Sequence, residues 1–374
     1  MNQTYDIIIV GAGIVGAACA AELARGRLKV LVLDRGPIGA GTTAAGMGHI
    51  VVMDDSEAQF ALTSFSRTLW RELLPELPAD VEYESCGTLW LAADDQEMQE
   101  VYRKQKFYTE RGVAVEVLDA KAVAEHEPNL RPGMAGGLLV THDAVLYPPC
   151  AARFLLEQAG RHGAQLRTGA TVAKLLPEGG VELANGEKIS SGLAVNATGP
   201  WSPDLTAGLP VRKRKGHLVI TDRYAGFVRH QIVELGYLKS AHSHNTSSVA
   251  FNIQPRKTGQ MLIGSSRQFD ADHTGVDQPI LDRMLERARE YMPKLGELSA
   301  LRVWTGHRAA TPDKLPVIGP NAEHEGIWLA TGHEGLGITT SLGTGRLLAD
   351  MMLNRDSAIP VEPYLPARFP NGDN

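Results

Sequence analysis

The sequence reads as an α/β protein: an open, largely parallel sheet packed with helices, joined to a second region built on a mainly antiparallel sheet. Three observations predict this. A βαβ unit fills the first 34 residues. Nine of the 39 glycines lie in residues 1–48 and eight more in 306–345. Between His217 and Arg267, short strands alternate with polar turns.

Tyr5 to Val10 is a β-branched run of the kind buried on both faces of a parallel sheet. Gly11-Ala12-Gly13-Ile14-Val15-Gly16 follows at once. A helix of small residues then runs from Ala17 to Arg25, and a second buried strand from Lys29 to Leu33 ends in Asp34. In this Rossmann-like unit Gly11 permits the tight turn, Gly13 lets the backbone approach a pyrophosphate, and Gly16 lets the helix pack on the strand. The helix start then offers amides and the positive end of its dipole to phosphate. Asp34 lies 18 residues beyond Gly16, where a carboxylate accepts from ribose hydroxyls and repels a 2′-phosphate.

Gly39 to Gly48 is a stretch of small residues with Thr42 and Thr43, suited to wrap a second phosphate. Further along, Cys86 to Ala92 reads as a strand, Asp95 to Arg111 as a polar helix and Lys121 to Glu125 as a short one. Pro128, Pro132 and Gly133 break the chain. A helix from Pro149 to His162 starts on two prolines. Gln165–Thr168 and Thr171 to Leu176 read as strands, Asn185-Gly186 as a hairpin turn, and Ser191 to Ala197 as another strand. Asn196-Ala197-Thr198-Gly199-Pro200-Trp201 lets the chain pass beneath a nucleotide. Arg212 to Lys215 reads as a solvated turn between domains. Gln278 to Tyr291 is a helix stopped by Pro293, and Thr339 to Leu353 closes the chain as a helix.

Composition excludes several classes. The balance of 37 basic and 43 acidic residues gives −6, which leaves no electrostatic footprint for nucleic acid. Three cysteines build no disulfide framework, and no His/Cys set has metal-site spacing. No apolar run reaches the ~18–20 residues of a membrane span. Ile7 to Ala24 is apolar, but Asp6 precedes it and the glycine turn interrupts it, so it reads as folded structure of a cytoplasmic protein. His217, His242, His244, His307 and His333 read as structural histidines, Met47 and Met261 as core filler, and Cys19 as a small buried hydrophobe.

The motifs in this order, with Gly306-His307-Arg308 and Thr331-Gly332-His333-Glu334-Gly335-Leu336-Gly337, resemble the FAD-dependent amine oxidoreductases of the D-amino-acid oxidase superfamily. The resemblance covers nearly the whole chain and lies in the glycine oxidase and sarcosine oxidase branch. Ala44 to His49 together with Gly332 to Gly337 look most like D-hydroxyproline dehydrogenases. They are also similar to catalytic subunits of hydrogen cyanide synthase and to opine oxidases.

The resemblance implies non-covalent FAD, there being no cysteine between Arg308 and Gly319 for flavin attachment. It implies an FAD-binding domain of residues 1–82, 145–212 and 305–374, with a substrate domain of 83–144 and 213–304 inserted into it. The cofactor-binding residues it implies are Gly11, Gly13, Ile14, Val15, Gly16, Asp34, Arg35, Thr42, Thr43, Ala45, Gly46 and Met47 from the N-terminal part. Val172, Thr198, Gly199 and Trp201 come from the middle, and Gly306, Gly332, Gly335, Leu336, Gly337, Ile338 and Thr339 from the last part. Arg308 takes the position that binds the substrate carboxylate, a task suited to a bidentate, always charged guanidinium. Asn252 replaces a tyrosine in the strand before Pro255-Arg256, and Gly335 replaces an arginine of glycine oxidase. Both departures favour a larger or cyclic amino acid over glycine. His49, Met47 and Asn252 are expected on the flavin face.

The implied reaction is hydride transfer from Cα of a D-amino or secondary-amine acid, D-hydroxyproline first, to flavin N5, leaving an imino acid. The alternatives are an O2-using glycine or sarcosine type oxidase, a non-catalytic FAD-binding subunit, and a nicotinamide-dependent dehydrogenase. The expected partners are a small amino-acid substrate, an electron acceptor of open identity, and partner subunits or further copies of the chain.

Overall fold

The computed structural model describes residues 5–236, 247–269 and 271–369. Six strands form the first sheet, in the order Val317–Pro320, Ile327–Thr331, Ser191–Asn196, Tyr5–Val10, Val30–Asp34 and Gln165–Thr168. Neighbours are parallel except the outermost pair, Val317–Pro320 with Ile327–Thr331. Tyr5–Val10 is central, and its Ile7, Ile8 and Ile9 are buried.

Helix Ile14–Arg25 covers one face and packs against helices Pro148–Arg161 and Gly337–Met352. Its buried residues are mostly alanine, with Cys19 among them, so helix axes approach closely. A Cβ at Gly345 would lie 2.7 Å from the Ala18 carbonyl carbon. On the other face, Leu175, Val181 and Leu183 of a three-stranded ribbon cover Ile8, Val10, Leu31 and Leu33. The ribbon turns at Asn185-Gly186, where Gly186 has φ +86°.

The second sheet has eight strands, in the order Ala300–Ala310, Arg212–Thr221, Met261–Gln268, Ser247–Pro255, Gln231–Glu234, Thr88–Ala92, Gly136–Val140 and Val115–Asp119. It is antiparallel apart from the pairing of Gln231–Glu234 with Thr88–Ala92. Helix Gln278–Tyr291 packs on Ser247–Pro255 and Met261–Gln268. The two-part α/β architecture matches the fold class read from the sequence.

The expected segment boundaries meet one strand awkwardly. The division at 304/305 falls inside Ala300–Ala310, which pairs along its length with Arg212–Thr221. Within that pairing the strand sets Gly306 and Arg308 on the cavity wall. The basic run Arg212 to Lys215 is not a solvated turn. It opens the strand Arg212–Thr221, in which Lys215 is fully buried and donates to the Gly275 carbonyl at 2.6 Å. Helix Glu57–Leu73 and the strands Val115–Asp119 and Gly136–Val140 have no counterpart in the sequence reading. His242 and His244 lie outside the described residues. No helix among the described residues is long and apolar enough to cross a membrane. Nor is any group of three or more His, Cys, Asp or Glu among them placed to hold a metal.

His217 is fully buried in the same strand. Its Nδ1 lies 2.8 Å from the Ser266 hydroxyl, and its Nε2 accepts from the Asp277 amide at 2.9 Å. A proton on Nε2 would face that N–H. Burial first, and then Lys215, hold the His217 pKa down to about 4. Between that value and about 6.5 the unfolded chain binds a proton that the native chain refuses, so stability falls as pH drops. The loss is roughly 1.4 kcal/mol per pH unit over that window. Urea midpoints of the native protein and His217→Gln should therefore converge as pH falls from 7 to 4.5. Parallel curves would remove His217 from this account.

Candidate functional site

A cavity of about 550 Å³ opens where the carboxyl ends of the first sheet meet the face of the second. Its long end is built on glycine. Gly11 has φ +117°, and a Cβ there would lie 2.5 Å from the Ala197 carbonyl oxygen. A Cβ at Gly13 would meet only the Thr43 hydroxyl, at 3.2 Å, so its bare side faces the cavity. The Thr43 hydroxyl accepts from the Ile14 amide at 3.0 Å, and Thr42 donates to the His307 carbonyl at 2.7 Å. The Asp34 carboxylate accepts from the Ala12 and Gly36 amides, each at 2.7 Å. Those bonds fix its direction and leave lone pairs for further donors. Beside it the Arg35 guanidinium lies 4.6 Å from the Trp201 ring centroid. Val172, Thr198 and Gly199 complete this end.

The other end belongs to the second sheet. Gly306 and Arg308 arrive on one strand, Gly216 and Leu218 on its neighbour, with Asn252 and Ser265 beyond. Met47 and His49 close it from the first part of the chain. Met47 is buried with Leu218 and Leu262, and its carbonyl accepts from Gln254 Nε2 at 2.7 Å. Arg308 donates through Nη1 to the Ser266 carbonyl at 3.0 Å. Among the described residues no carboxylate lies within ion-pair reach of it. A Cβ at Gly216 would sit 2.4 Å from its Nη1, and one at Gly335 3.7 Å from its Nε. Burial, then Arg214, lowers the Arg308 pKa to about 10, so it is charged at neutral pH.

His49 is neutral there. Burial pulls its pKa down to about 4, Gln254 opposes this, and Arg308 adds to it. Its Nε2 and the Asn252 Oδ1 are buried on this wall with no hydrogen-bond partner among the described residues. His333 also lines the cavity, with its Nε2 2.9 Å from the Thr344 hydroxyl and its pKa held near 3 by burial. It reads as structural, as does His307, whose Nε2 meets the Ala271 carbonyl at 2.9 Å.

Of the residues expected around the cofactor, all but four line this cavity, together with Arg308, Asn252 and His49. The four exceptions support its wall from behind. A Cβ at Gly16 would lie 1.9 Å from the Gly11 carbonyl oxygen, so that glycine serves the helix–strand contact. Gly332, at φ +77°, is pressed against Thr311. The Leu336 amide donates to the His333 carbonyl at 3.0 Å. The Thr339 hydroxyl donates to the His49 carbonyl at 2.7 Å and accepts from the Val51 amide at 3.3 Å.

Sequence reasoning passed over Gly216, Leu218, Ser265 and Glu334, which also line the cavity. The signal for two of them was alternation. In a strand, Arg214, Gly216 and Leu218 share one face, and Lys215 and His217 the other. Glu334 lies inside a quoted motif but was given no role. It has a left-handed backbone, φ +49°, its amide donates to the Ala309 carbonyl at 2.8 Å, and its carboxylate pairs with Arg214.

An extended cavity with a bare glycine turn at a helix start, an acid at the end of the second strand and a half-buried cation at the far end fits FAD with a small carboxylate beside it. Comparison with known proteins agrees. The chain is 29% identical to the hydrogen cyanide synthase subunit HcnC of Pseudomonas aeruginosa, over 99% of this chain and 97% of that one. It overlays the crystal structure of glycine oxidase from Geobacillus kaustophilus with a TM-score of 0.89 at 26% identity, covering 99% and 100% of the two chains. It overlays L-proline dehydrogenase from P. horikoshii with a TM-score of 0.88 at 25% identity, covering 99% and 98%. The family described as DAO, FAD dependent oxidoreductase, matches residues 6–351, and the chain belongs to that family of FAD-dependent oxidoreductases.

Proposed function

We propose that this chain binds FAD without a covalent link and oxidises a D-amino or secondary-amine acid to the imino acid, with D-hydroxyproline the favoured substrate. One observation carries the reading. Arg308 is a half-buried guanidinium on the cavity wall with no carboxylate partner among the described residues, and Gly335 puts no side chain beside it. A partly desolvated charge of this kind is costly unless an opposite charge meets it. The carboxylate of an amino acid is that charge, and the bare Gly335 leaves room for a ring or a larger side chain. The likeness to an L-proline dehydrogenase favours a cyclic secondary amine over glycine.

FAD, when bound, would supply a two-electron acceptor for the hydride leaving Cα. The side chains supply binding, orientation and dryness. Arg308 grips the substrate carboxylate and so fixes the direction of the Cα–H bond. Asn252 Oδ1 is an acceptor suited to an amine N–H. His49, neutral at working pH, adds no positive charge beside the carbon that loses hydride. Met47 and Leu218 keep water from that face. For the cofactor, Gly13 and the start of helix Ile14–Arg25 would hold the pyrophosphate, Asp34 the ribose, and Gly337 and Ile338 the flavin. None of the three cysteines lines the cavity, which is consistent with non-covalent binding.

A second reading, an O2-using amine oxidase of the glycine type, is favoured by the overlay on glycine oxidase. Peroxide yield against dye reduction separates the two. The decisive experiment is anaerobic reduction of the visible flavin band by a panel of D- and L-amino acids that includes cyclic imino acids. Fast bleaching by D-hydroxyproline is expected. Bleaching by glycine alone would overturn the substrate, and bleaching by nothing would point to a non-catalytic FAD-binding subunit.

Arg308→Lys keeps a charge and loses the bidentate fork. It should lower kcat/KM by roughly 100-fold, mainly through KM, with FAD content unchanged. A change of less than twofold would rule Arg308 out as the carboxylate site. Gly13→Val places a branched side chain where the pyrophosphate is to lie, at a backbone conformation any residue adopts (φ −71°). The variant should purify folded and colourless. A full complement of flavin in it would refute the assignment of this turn.

A further inference from the structure

Arg214 and Arg308 stand directly opposite each other on paired antiparallel strands, and so on the same face of the sheet. Like charges in that relation repel. Arg308 lines the cavity, and the charge of Arg214 beside it lowers the Arg308 pKa. Glu334 is the nearby anion. It comes from the loop that precedes helix Gly337–Met352, which runs beside the end of strand Ala300–Ala310. Its amide is bonded to the carbonyl of Ala309, the residue after Arg308. Its negative charge is close enough to raise the Arg308 pKa. Yet its carboxylate pairs with Arg214, and those two side chains are only 11% and 15% exposed. Arg214 is itself held, its guanidinium 5.0 Å from the Phe269 ring centroid. Arg308, by contrast, spends one donor on the Ser266 carbonyl and meets no described carboxylate.

We propose that Arg214 is a positioning residue for substrate binding. By holding the Glu334 carboxylate, it keeps that carboxylate off Arg308 and leaves Arg308 open to the carboxylate of the substrate. This rests on the carboxylate-binding role of Arg308 proposed above. Arg267 stands close enough to both arginines and to Glu334 to feel each charge, so the cluster carries more positive charge than Glu334 answers, and Arg308 presents that excess to the cavity. Without Arg214 the same Glu334 becomes an internal competitor, since a largely desolvated carboxylate turns to the nearest cation. Its bridge to Ala309 keeps it next to Arg308, whose charge it already affects.

The claim has a signature that ordinary structural damage lacks. Removing the cation should weaken substrate binding, and removing the anion as well should restore it. The measurement is the Kd of benzoate, a monocarboxylate with no amine to oxidise, for the FAD-loaded protein, read from the shift of the visible flavin band. Arg214→Leu should raise that Kd on the order of 10- to 100-fold. Arg214→Leu combined with Glu334→Gln should bring it back to within about threefold of the starting value. Arg214→Gln, alone and with Glu334→Gln, gives the same comparison with a side chain of gentler packing, should the leucine variant not fold. A double variant as weak as the single one would overturn the proposal. Arg308→Lys separates this from failure of the underlying reading. If it leaves the benzoate Kd unchanged, the role of Arg308 and this inference fall together. If it weakens binding and the double variant still shows no recovery, this inference alone falls.

Discussion

A Cβ at Gly16 would sit 1.9 Å from the carbonyl oxygen of Gly11, and one at Gly11 would sit 2.5 Å from that of Ala197. Here strand, turn and helix touch backbone to backbone at two adjacent points. Helix Ile14–Arg25 can lie on its strand only because of this contact, and its first amides face the cavity for the same reason. The small residues further along that helix let Gly337–Met352 press against it. The loop before Gly337–Met352 is thereby brought to the far end of the cavity, and with it come Glu334 and Gly335. A side chain at Gly11 or Gly16 would therefore disturb more than a phosphate contact.

The far end is governed by electrostatics at low dielectric. The edge strand Ala300–Ala310 of the large sheet delivers Arg308 into the wall, opposite Arg214. Desolvated guanidiniums side by side are unfavourable, and the fold answers one of them with Glu334. The imbalance that remains is directional, because Arg308 lines the cavity flanked by Gly216 and Gly335. The histidines do not add to the charge. His49 and His333 are both neutral through burial, so the local field at neutral pH comes from arginine and glutamate.

The first half of this arrangement was legible locally. Tyr5 to Asp34 states its strand, turn, helix and acid within one short window, and each residue type there has a single stereochemical use. The second half was not, because its meaning depends on pairing. Arg212 to Lys215 reads as a solvated charge run until Ala300–Ala310 lies beside it and Glu334, over a hundred residues away, neutralises Arg214. Gly16 and Gly332 could not be separated from ligand-facing glycines by sequence, since close packing and close ligand approach demand the same residue. Thr339 and Leu336 stand in a motif that points at the cavity, but their hydrogen-bonding groups turn to His49, Val51, His333 and Thr340. Helix Glu57–Leu73 left little trace, as its buried positions include Gln59, Thr63, Ser66 and Arg67, which no hydrophobic period reveals.

The strand order of the first sheet has a consequence for how the molecule comes into being. Tyr5–Val10 pairs with Ser191–Asn196, which in turn pairs with Ile327–Thr331. A chain emerging from the ribosome therefore displays its most apolar strand long before a neighbour exists on that side. The covering helix Gly337–Met352 comes later still. Contacts so distant in sequence slow the search for the native state and leave sticky edges uncovered meanwhile. Synthesis of nearly the whole polypeptide must precede closure of the nucleotide cradle, and truncation near the C-terminus removes the very parts on which the N-terminus waits.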